Sequence, residues 1–185
     1  CRLWLPETVC LAQSCSVNIL TFAFECDGLG TCTHQGVMEC DPYYCDDAGG
    51  DCRSFCSDNA HCVDGFWCNG SQECVAKFEL GSTCLHGYQC LSDFCVDGFC
   101  CDTACAEDCV SCALAGQEGT CSFHSVNSDP DNDCSVCYVC SGDAPLCVPT
   151  PFGTDPVEDC DLHSTNSCGQ DGTCDGVGAC HLWEL

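Results

Sequence analysis

The chain has 185 residues, of which 29 are cysteine, 29 are acidic and three are basic, and its formal net charge is −26 at pH 7. Cysteine at about 16 per cent of the chain exceeds the roughly 8–10 per cent that marks a disulfide scaffold, which indicates an oxidising, extracellular or cell-surface setting. The charge argues against nucleic-acid binding, which needs clustered lysine and arginine, and no apolar run approaches the ~20 residues of a membrane helix.

The aliphatic content of the chain is low for a globular domain. Leu, Ile, Val and Phe make up 36 of the 185 residues, just under the roughly 20 per cent at which hydrophobic burial alone stops holding a chain folded. We therefore predict small disulfide-rich modules in tandem, made of short β-hairpins and turns, with little helix and no large hydrophobic core. Cross-links worth typically ~2–4 kcal/mol each would supply most of the stability.

The cysteine count is odd, so one cysteine has no partner within the chain. Removing Cys1 leaves 28 cysteines, enough for 14 disulfides. A chain that begins with cysteine resembles a processed lipoprotein. We therefore predict that Cys1 is modified or bonded to another molecule.

The N-terminal segment is apolar and contains the one candidate for a long strand. Residues 17–24, VNILTFAF, are rich in β-branched and aromatic residues, and such a strand is suited to donation to the sheet edge of a neighbouring molecule. Trp4 and Trp183 lie among leucines near the two ends of the chain. We expect these ends to make head-to-tail contacts between copies, or else to pack on their own modules.

The next feature is the acidic stretch CDPYYCDDAGGDC at 40–52. It resembles the end of a Notch-type repeat, C-N-x3-C-x2-D-G-G-D-C, in which the asparagine and both aspartates help to bind calcium. The resemblance implies calcium ligands at Asp41 and Asp51; alanine replaces the other aspartate, and Asp46 or Asp47 is a substitute. The alternative is a glycine-rich turn between disulfides with solvated carboxylates.

Residues 56–74, CSDNAHCVDGFWCNGSQEC, place four cysteines six positions apart and are similar to EGF-like or Dickkopf-like modules. Asn69 begins an N-x-S sequon and is predicted as a glycosylation site if the source cell glycosylates secreted proteins. The tetrapeptide VDGF occurs at 63–66 and again at 96–99. Because Asp-Gly favours tight hairpin turns, each copy predicts a hairpin.

The C-terminal half contains a tandem repeat. Residues 109–134 and 137–160 share four cysteines, differ by two residues in one loop, and both end in D-P-x-x-D-C. In addition, CDGVGAC at 174–180 matches CDGLGTC at 26–32. The one candidate for a helix in the chain is 102–114.

The first copy of the repeat ends in alternating carboxylates, Asp129, Asp131 and Asp133, spaced as in calcium loops that open D-x-D-x-D. Cys134 stands where such loops have glycine, so a structural turn is the alternative to a second calcium site. The three C-x2-C pairs of this half indicate disulfides rather than zinc in an oxidised chain. The adjacent Cys100 and Cys101 are expected to form two bridges that leave in different directions.

A resemblance to a family rests on GSTCLHGYQCLSDFCVDGFCCDTACAEDCVSCALAGQEGTC, DPVEDC and SCGQDGTCDGVGAC. Through them, residues 84–180 resemble the secreted cysteine-rich repeat proteins of myxobacteria and related bacteria, which implies a secreted, disulfide-linked surface protein and no reaction. The predicted modules are 1–25, 26–55, 56–83, 84–108, 109–136 and 137–185.

The six histidines fall in no nucleophile or metal signature, so we predict that the chain is not an enzyme. Tandem repeats, dense cross-linking and apolar ends instead favour a structural subunit of an extracellular filament, sheath or surface coat, with itself as the partner. The alternative hypothesis is a calcium-dependent adhesion or receptor-like binding module, and calcium is the one cofactor considered. A disulfide-rich inhibitor or toxin is a third hypothesis.

Overall fold

The computed structural model describes residues 5–46 and 50–183, which form short antiparallel β-strands joined by turns. Two 3-10 turns, Asn59–His61 and Gly87–Gln89, are the helical elements of this described part. The region 102–114 holds turns and one short strand, so the candidate helix there is wrong. The strands are β1 Val9–Leu11, β2 Ser14–Ser16, β3 Ile19–Thr21, β4 Phe24–Cys26, β5 Cys32–His34, β6 Val37–Glu39, β7 Cys45–Asp46, β8 Asp51–Cys52, β9 Phe66–Cys68, β10 Cys74–Ala76, β11 Cys95–Val96, β12 Phe99–Cys100, β13 Val110–Ser111, β14 Ser122–Phe123, β15 Tyr138–Cys140, β16 Cys147–Pro149, β17 Gln170–Cys174 and β18 Cys180–Leu182.

The strands pair into small sheets. Two sheets have three strands, in the orders β1-β4-β5 and β2-β3-β6. The remaining strands form two-stranded hairpins of sequence neighbours, from β7-β8 to β17-β18. Sheets of this size are too small to bury a core of their own. The predicted class of small disulfide-rich modules built from hairpins is confirmed.

Cysteine supplies the buried interior in place of aliphatic side chains. The chain divides into two compact units, Cys1–Lys77 and Phe78–Leu185. In the first unit, one cluster packs two cysteines around Leu20 and another consists of buried cysteines. In the second unit both clusters consist of buried cysteines with a few partly buried neighbours. The absence of a large hydrophobic core is thus confirmed for the described residues.

The long strand predicted over 17–24 is not continuous. Val17 adopts a left-handed φ of 59° in the turn before β3, and a break at Phe22 and Ala23 separates β3 from β4. Long-range bonds hold this turn, because the carbonyl oxygen of Val17 accepts from the Cys45 N–H at 2.7 Å. In addition, β3 is hydrogen-bonded on both sides, to β2 and to β6. Donation of this strand to another molecule would therefore break bonds within the chain.

The described cysteines form 13 disulfides rather than the predicted 14, and each bridge closes within one of the two units. Cys26 and Cys168 are unbridged, while Cys1 lies outside the described residues. The prediction that the adjacent Cys100 and Cys101 form two separate bridges is confirmed, since Cys100 bonds Cys90 whereas Cys101 bonds Cys112. The bridges are 10–32, 15–45, 40–52, 56–68, 62–74, 84–95, 90–100, 101–112, 105–121, 109–140, 134–147, 137–174 and 160–180.

The bridges link neighbouring hairpins along the C-terminal half. The first and last cysteines of repeat 109–134 bond the two hairpin cysteines of repeat 137–160, through Cys109–Cys140 and Cys134–Cys147. The next step follows the same scheme, because the first and last cysteines of 137–160 bond the hairpin β17-β18. We call the six bridges between residues 101 and 180 the disulfide ladder. It joins segments assigned to different predicted modules, whose boundaries stay predictions.

Candidate functional site

The Notch-like stretch places two of its predicted ligands beside one disulfide. Asp41 and Asp51 each adjoin a cysteine of the Cys40–Cys52 bridge. The Asp41 carboxylate accepts from the Asn18 side-chain amide at 2.8 Å, and the Asp51 carboxylate accepts from the Cys52 N–H at 2.9 Å. Asp47 lies outside the described residues. The bridge brings Asp41 and Asp51 to one region of the chain, and each of the two carboxylates already accepts a hydrogen bond from the protein.

Asp46 is the other acidic residue of this stretch. It lies directly opposite Asp51 in the hairpin β7-β8. The guanidinium of Arg53 lies 3.6 Å from the Asp46 carboxylate and also donates to the Cys45 carbonyl oxygen at 3.1 Å. One of the three basic residues of the chain thus offsets the paired negative charges.

The D-P-x-x-D-C sequences form the same turn in both repeats. The Asp129 carboxylate accepts from the N–H groups of Asp133 and Cys134. In the second copy, the Asp155 carboxylate accepts from the N–H groups at positions 159 and 160, which correspond to them. These contacts are those of an aspartate that caps a turn. The first aspartate of each copy therefore has a structural role.

The last aspartate of each copy reaches back to the first cysteine of its repeat. The Asp133 carboxylate accepts from the Cys109 N–H at 2.8 Å, and the Asp159 carboxylate accepts from the Cys137 N–H at 2.7 Å. Both cysteines are fully buried, and a buried N–H needs an acceptor. We call these two contacts the aspartate clamps. Each one holds both ends of a repeat together next to the ladder.

The third predicted ligand of this region, Asp131, pairs with a histidine that the sequence did not single out. The Asp131 carboxylate lies 2.7 Å from Nε2 of His124, which is buried. The second repeat has Thr150 and Val157 at the corresponding positions. Thr150 is fully buried, and its hydroxyl has no hydrogen-bond partner in the described part of the chain. The two repeats thus have the same backbone turn, but only the first has this polar pair.

Together, the carboxylates at 129, 131 and 133 contact different protein donors. The contacts favour the structural turn over the calcium loop as the role of this stretch. Sequence alignment of the repeats contained the signal for the clamps, because the first and last aspartates recur in both copies while the middle one does not.

The two C-D-G-x-G-x-C loops are also organised by their aspartates. The Asp27 carboxylate accepts from the N–H groups of Leu29 and Thr31, and the Asp175 carboxylate accepts from those of Val177 and Ala179. Donation from Thr31 and then Leu29 lowers the pKa of Asp27 below its ordinary value of 3.8. Donation from Val177 and then Ala179 lowers the pKa of Asp175 in the same way.

The sequon asparagine takes part in its own turn. Oδ1 of Asn69 accepts from the N–H groups of Ser71 and Glu73, and its amide nitrogen lies 3.3 Å from the Glu73 carboxylate. A glycan would attach to that nitrogen and replace the contact with Glu73. Glycosylation at Asn69 stays a prediction.

The C-terminal tryptophan contacts its own chain. The Trp183 indole N–H donates to the carbonyl oxygen of His163 at 3.0 Å, and the Trp183 backbone N–H donates to that of Gly169. Trp4 lies outside the described residues. A contact between copies through Trp183 would use a side chain that is already hydrogen-bonded within its own unit.

The cysteine groups consist of neighbouring bridges. Sulfur atoms gather within 4.8 Å of one another in sets such as Cys56, Cys62 and Cys74. Each of these atoms belongs to a disulfide, and a metal ligand has to be a free thiolate. The C-x2-C cysteines likewise belong to separate bridges, as the interpretation as disulfides predicts.

A shallow depression of about 630 Å³ lies in the second unit. Its lining includes Leu80 and Leu91, which are 54% and 55% exposed, together with Glu79 and Asp102. The surface of the depression is mostly apolar, and two of its lining residues are acidic. In the described part of the chain, no helix has the length and hydropathy to cross a membrane.

No family model, curated protein or solved structure matches this chain. The resemblances to myxobacterial cysteine-rich repeat proteins and to Notch-type repeats therefore stay predictions that rest on the residues quoted for them. The density of disulfides fits an extracellular structural or binding module.

Proposed function

We propose that the chain is a structural subunit of an extracellular filament, sheath or surface coat, without catalytic activity. The observation that carries the proposal is the disulfide ladder, in which each repeat is tied to the next by two bridges. We expect a ladder of this kind to resist extension and proteolysis, because bridges to the neighbouring repeat limit how far one repeat can unfold. Such resistance is what a coat or fibre requires.

The contacts between copies would involve exposed apolar side chains. Leu80 and Leu91 line one depression and are both more than half exposed. Clustered exposed leucines in a chain of high negative charge favour a contact surface over simple solvent exposure. A second copy is the partner of this proposal, and charge repulsion between copies would be reduced at high ionic strength.

Sedimentation velocity over a concentration series, with and without millimolar calcium, tests this proposal alongside electron microscopy of the same samples. We expect concentration-dependent assembly in the wild type and its loss in the double variant Leu80→Glu, Leu91→Glu. Leu29→Glu is the matched control, since Leu29 is 85% exposed at the tip of a separate hairpin. Monomers at all concentrations would count against a structural subunit, and equal assembly of both variants would count against this surface.

A calcium-dependent adhesion or receptor-like module is the second candidate. It is supported by the Cys40–Cys52 bridge, because Asp41 adjoins one cysteine of this bridge and Asp51 adjoins the other. Carboxylate oxygens are the ligands that calcium prefers, at 6–8 per ion. In this role, calcium would stiffen the first unit and prepare it for a protein partner.

Isothermal titration with calcium tests the second candidate. We expect heat of binding in the wild type and its loss in the variant Asp41→Asn, Asp51→Asn. The variant Asp58→Asn is the control, because Asp58 accepts the Ala60 backbone N–H and lies outside the Notch-like stretch 40–52. The absence of any heat or shift in melting temperature at millimolar calcium would refute this candidate.

A further inference from the structure

The two bridges that tie the first repeat to the second form an inner and an outer layer. The inner bridge, Cys109–Cys140, has no exposed surface. Both cysteines of the outer bridge, Cys134–Cys147, are partly exposed. A small thiol in solution therefore has access to the outer bridge but not to the inner one.

The sulfur atoms of the two layers are in contact. Sγ of Cys109 lies 3.5 Å from Sγ of Cys134 and 3.8 Å from Sγ of Cys147. A disulfide exchanges when a thiolate attacks one of its two sulfur atoms. A thiolate set free at Cys134 would thus lie in contact with a sulfur atom of the inner bridge, which is the atom that it has to attack.

The two remaining cysteines of this set also face each other. Cys140 and Cys147 lie directly opposite in the hairpin β15-β16, and opposed residues of antiparallel strands have Cα atoms about 4.5–5.5 Å apart. This spacing falls within the range of roughly 4.4–6.8 Å that a disulfide needs. The four cysteines therefore have a second possible pairing, 109–134 with 140–147, that needs little movement of the backbone.

We infer that the ladder is a switch that a small thiol moves between these two pairings. In the pairing of the structure, both bridges run between the repeats. In the alternative pairing, one bridge closes the first repeat on itself and the other closes the hairpin β15-β16. Neither bridge would then link repeat 109–134 to repeat 137–160. The inference concerns the ladder alone, so it does not depend on assembly of copies of the chain.

The exchange needs a low-molecular-weight thiol as catalyst and involves no net oxidation or reduction. Its thiolate attacks Sγ of Cys147, a mixed disulfide forms there, and Cys134 leaves as a thiolate. The Cys134 thiolate attacks Sγ of Cys109, the bond between them forms, and Cys140 leaves as a thiolate. Cys140 then attacks Sγ of Cys147, which closes the hairpin and returns the small thiolate to solution. Two disulfides are present before and after.

The second step of the ladder has the same geometry. Its inner bridge, Cys137–Cys174, is fully buried, and Sγ of Cys160 lies 3.2 Å from Sγ of Cys137. Cys174 and Cys180 lie directly opposite in the hairpin β17-β18, and Cys180 is partly exposed. The corresponding alternative pairing is therefore open to this step as well. Two repeats of different sequence thus keep the same contacts between their sulfur atoms.

One proteolytic cut between the repeats distinguishes the two pairings. The variant Val136→Lys gives trypsin a site there, at a side chain that is 52% exposed. In the described chain, the bridges that cross this cut are 109–140 and 134–147. The segments on the two sides of the cut therefore stay joined in the pairing of the structure. In the alternative pairing they separate without reductant.

The variant is incubated anaerobically with glutathione at about pH 8, near the ordinary cysteine pKa of about 8.5. Free thiols are then blocked with N-ethylmaleimide, and the denatured chain is cut with trypsin. We expect the two segments to separate after this incubation, with no gain in free thiols per chain. They should stay joined without glutathione. They should also stay joined after incubation at about pH 5, because the thiolate is the attacking species.

Gln117→Lys is the matched control. Position 117 is exposed and lies inside the first repeat, where the bridge 105–121 also crosses the cut. This bridge is not part of the exchange between the repeats, so the two segments of the control should stay joined before and after incubation. Their separation would show general scrambling of the disulfides and would overturn the inference.

The variant Cys180→Ser tests the second step without an added thiol. It leaves Cys160 without its partner, so we expect Cys160 to attack Cys137 and release Cys174. Mass spectrometry should then locate the added N-ethylmaleimide label at Cys174, and a label that stays at Cys160 would count against the switch. Segments of Val136→Lys that stay joined after incubation with glutathione would also overturn the inference. So would separation with a matching gain of free thiols, since reduction alone would explain it.

Discussion

Replacing Asp159 by alanine removes one of the two aspartate clamps. The Asp159 carboxylate accepts from the Cys137 N–H at 2.7 Å, and Cys137 has no exposed surface. Alanine leaves that N–H buried without an acceptor, since the hairpin β15-β16 begins one residue later and does not pair with it. The bridge Cys137–Cys174 would remain intact. The variant therefore separates the role of the clamp from the role of the ladder.

The expected size of the effect follows from the burial of the donor. An unsatisfied buried N–H costs about 1–3 kcal/mol, which corresponds to a factor of roughly 5–150 in the equilibrium for local opening. We expect the Cys137 amide to exchange its hydrogen faster by that factor in Asp159→Ala. Asp159→Asn keeps an acceptor but loses the charge, so about half of the free-energy loss is expected.

Hydrogen exchange followed by NMR on the oxidised protein measures this directly. The control is Asp143→Ala, because Asp143 is an exposed aspartate of the same repeat whose carboxylate has no hydrogen-bond partner in the described part of the chain. That variant should leave the exchange rate of Cys137 unchanged. The reasoning would be refuted if Asp159→Ala and Asp143→Ala gave the same rate, since the clamp would then contribute nothing to the protection of Cys137.

Three further predictions concern other parts of the chain. Thr150→Val removes a buried hydroxyl without a partner and should raise stability by about 1 kcal/mol; an unchanged or lower thermal midpoint would contradict this. Gly119→Ala should lower the free energy of unfolding by ~1–3 kcal/mol more than Gly116→Ala does. Both glycines have positive φ, but only a Cβ at position 119 would meet the backbone of another segment. Equal thermal midpoints of the two variants would contradict this close approach. Because the pKa values of Asp27 and Asp175 are lowered from 3.8, their stabilising contribution is present above pH 3.8 and disappears as the pH falls through the lowered values. NMR titration of both loops should give midpoints below 3.8 and would contradict the proposed N–H donation if the midpoints were at or above it.

Local features were predictable because they depend on a few neighbouring residues. The Asp-Gly step at 97–98 forms the tight turn of the hairpin β11-β12, with φ values of 53° and 81° at its two central positions. These positive values are what aspartate and glycine tolerate best. The repeat equivalence of 109–134 and 137–160 was predictable for the same reason, and their aspartate caps and bridges confirm it.

Long-range features were not predictable from sequence. The segment 17–24 has the composition of one strand, but bonds from the distant Cys40 and Cys45 N–H groups to Asn18 and Val17 hold a turn at its start. Disulfide partners are equally non-local, since bridges in the first unit span between 12 and 30 residues. Spacing alone gives no preference among such partners. Which cysteine bonds which partner becomes clear only in the folded chain, where each hairpin lies next to the cysteines that it bonds.

The acidic composition has a structural explanation that bears on the calcium hypothesis. A short hairpin leaves many backbone N–H groups without strand partners, and aspartate is the side chain that accepts from them most readily in turns. Among the residues that the structure describes, seven aspartates accept from the N–H of a cysteine: Asp51, Asp97, Asp102, Asp129, Asp133, Asp155 and Asp159.

These bonds set a condition on where calcium can bind. An ion at 129–133 would have to compete with the N–H groups of Cys109, Asp133 and Cys134 for the same oxygens, and the loss of a bond to the buried Cys109 N–H would offset part of the binding energy. Asp41 instead is exposed, and its carboxylate accepts from the half-buried side-chain amide of Asn18 rather than from a buried N–H, so the loss of this bond costs less. If calcium binds this chain, the Cys40–Cys52 region is therefore favoured over the repeat turns. Asp41→Asn should then weaken binding, whereas Asp129→Asn should lower stability without changing calcium affinity.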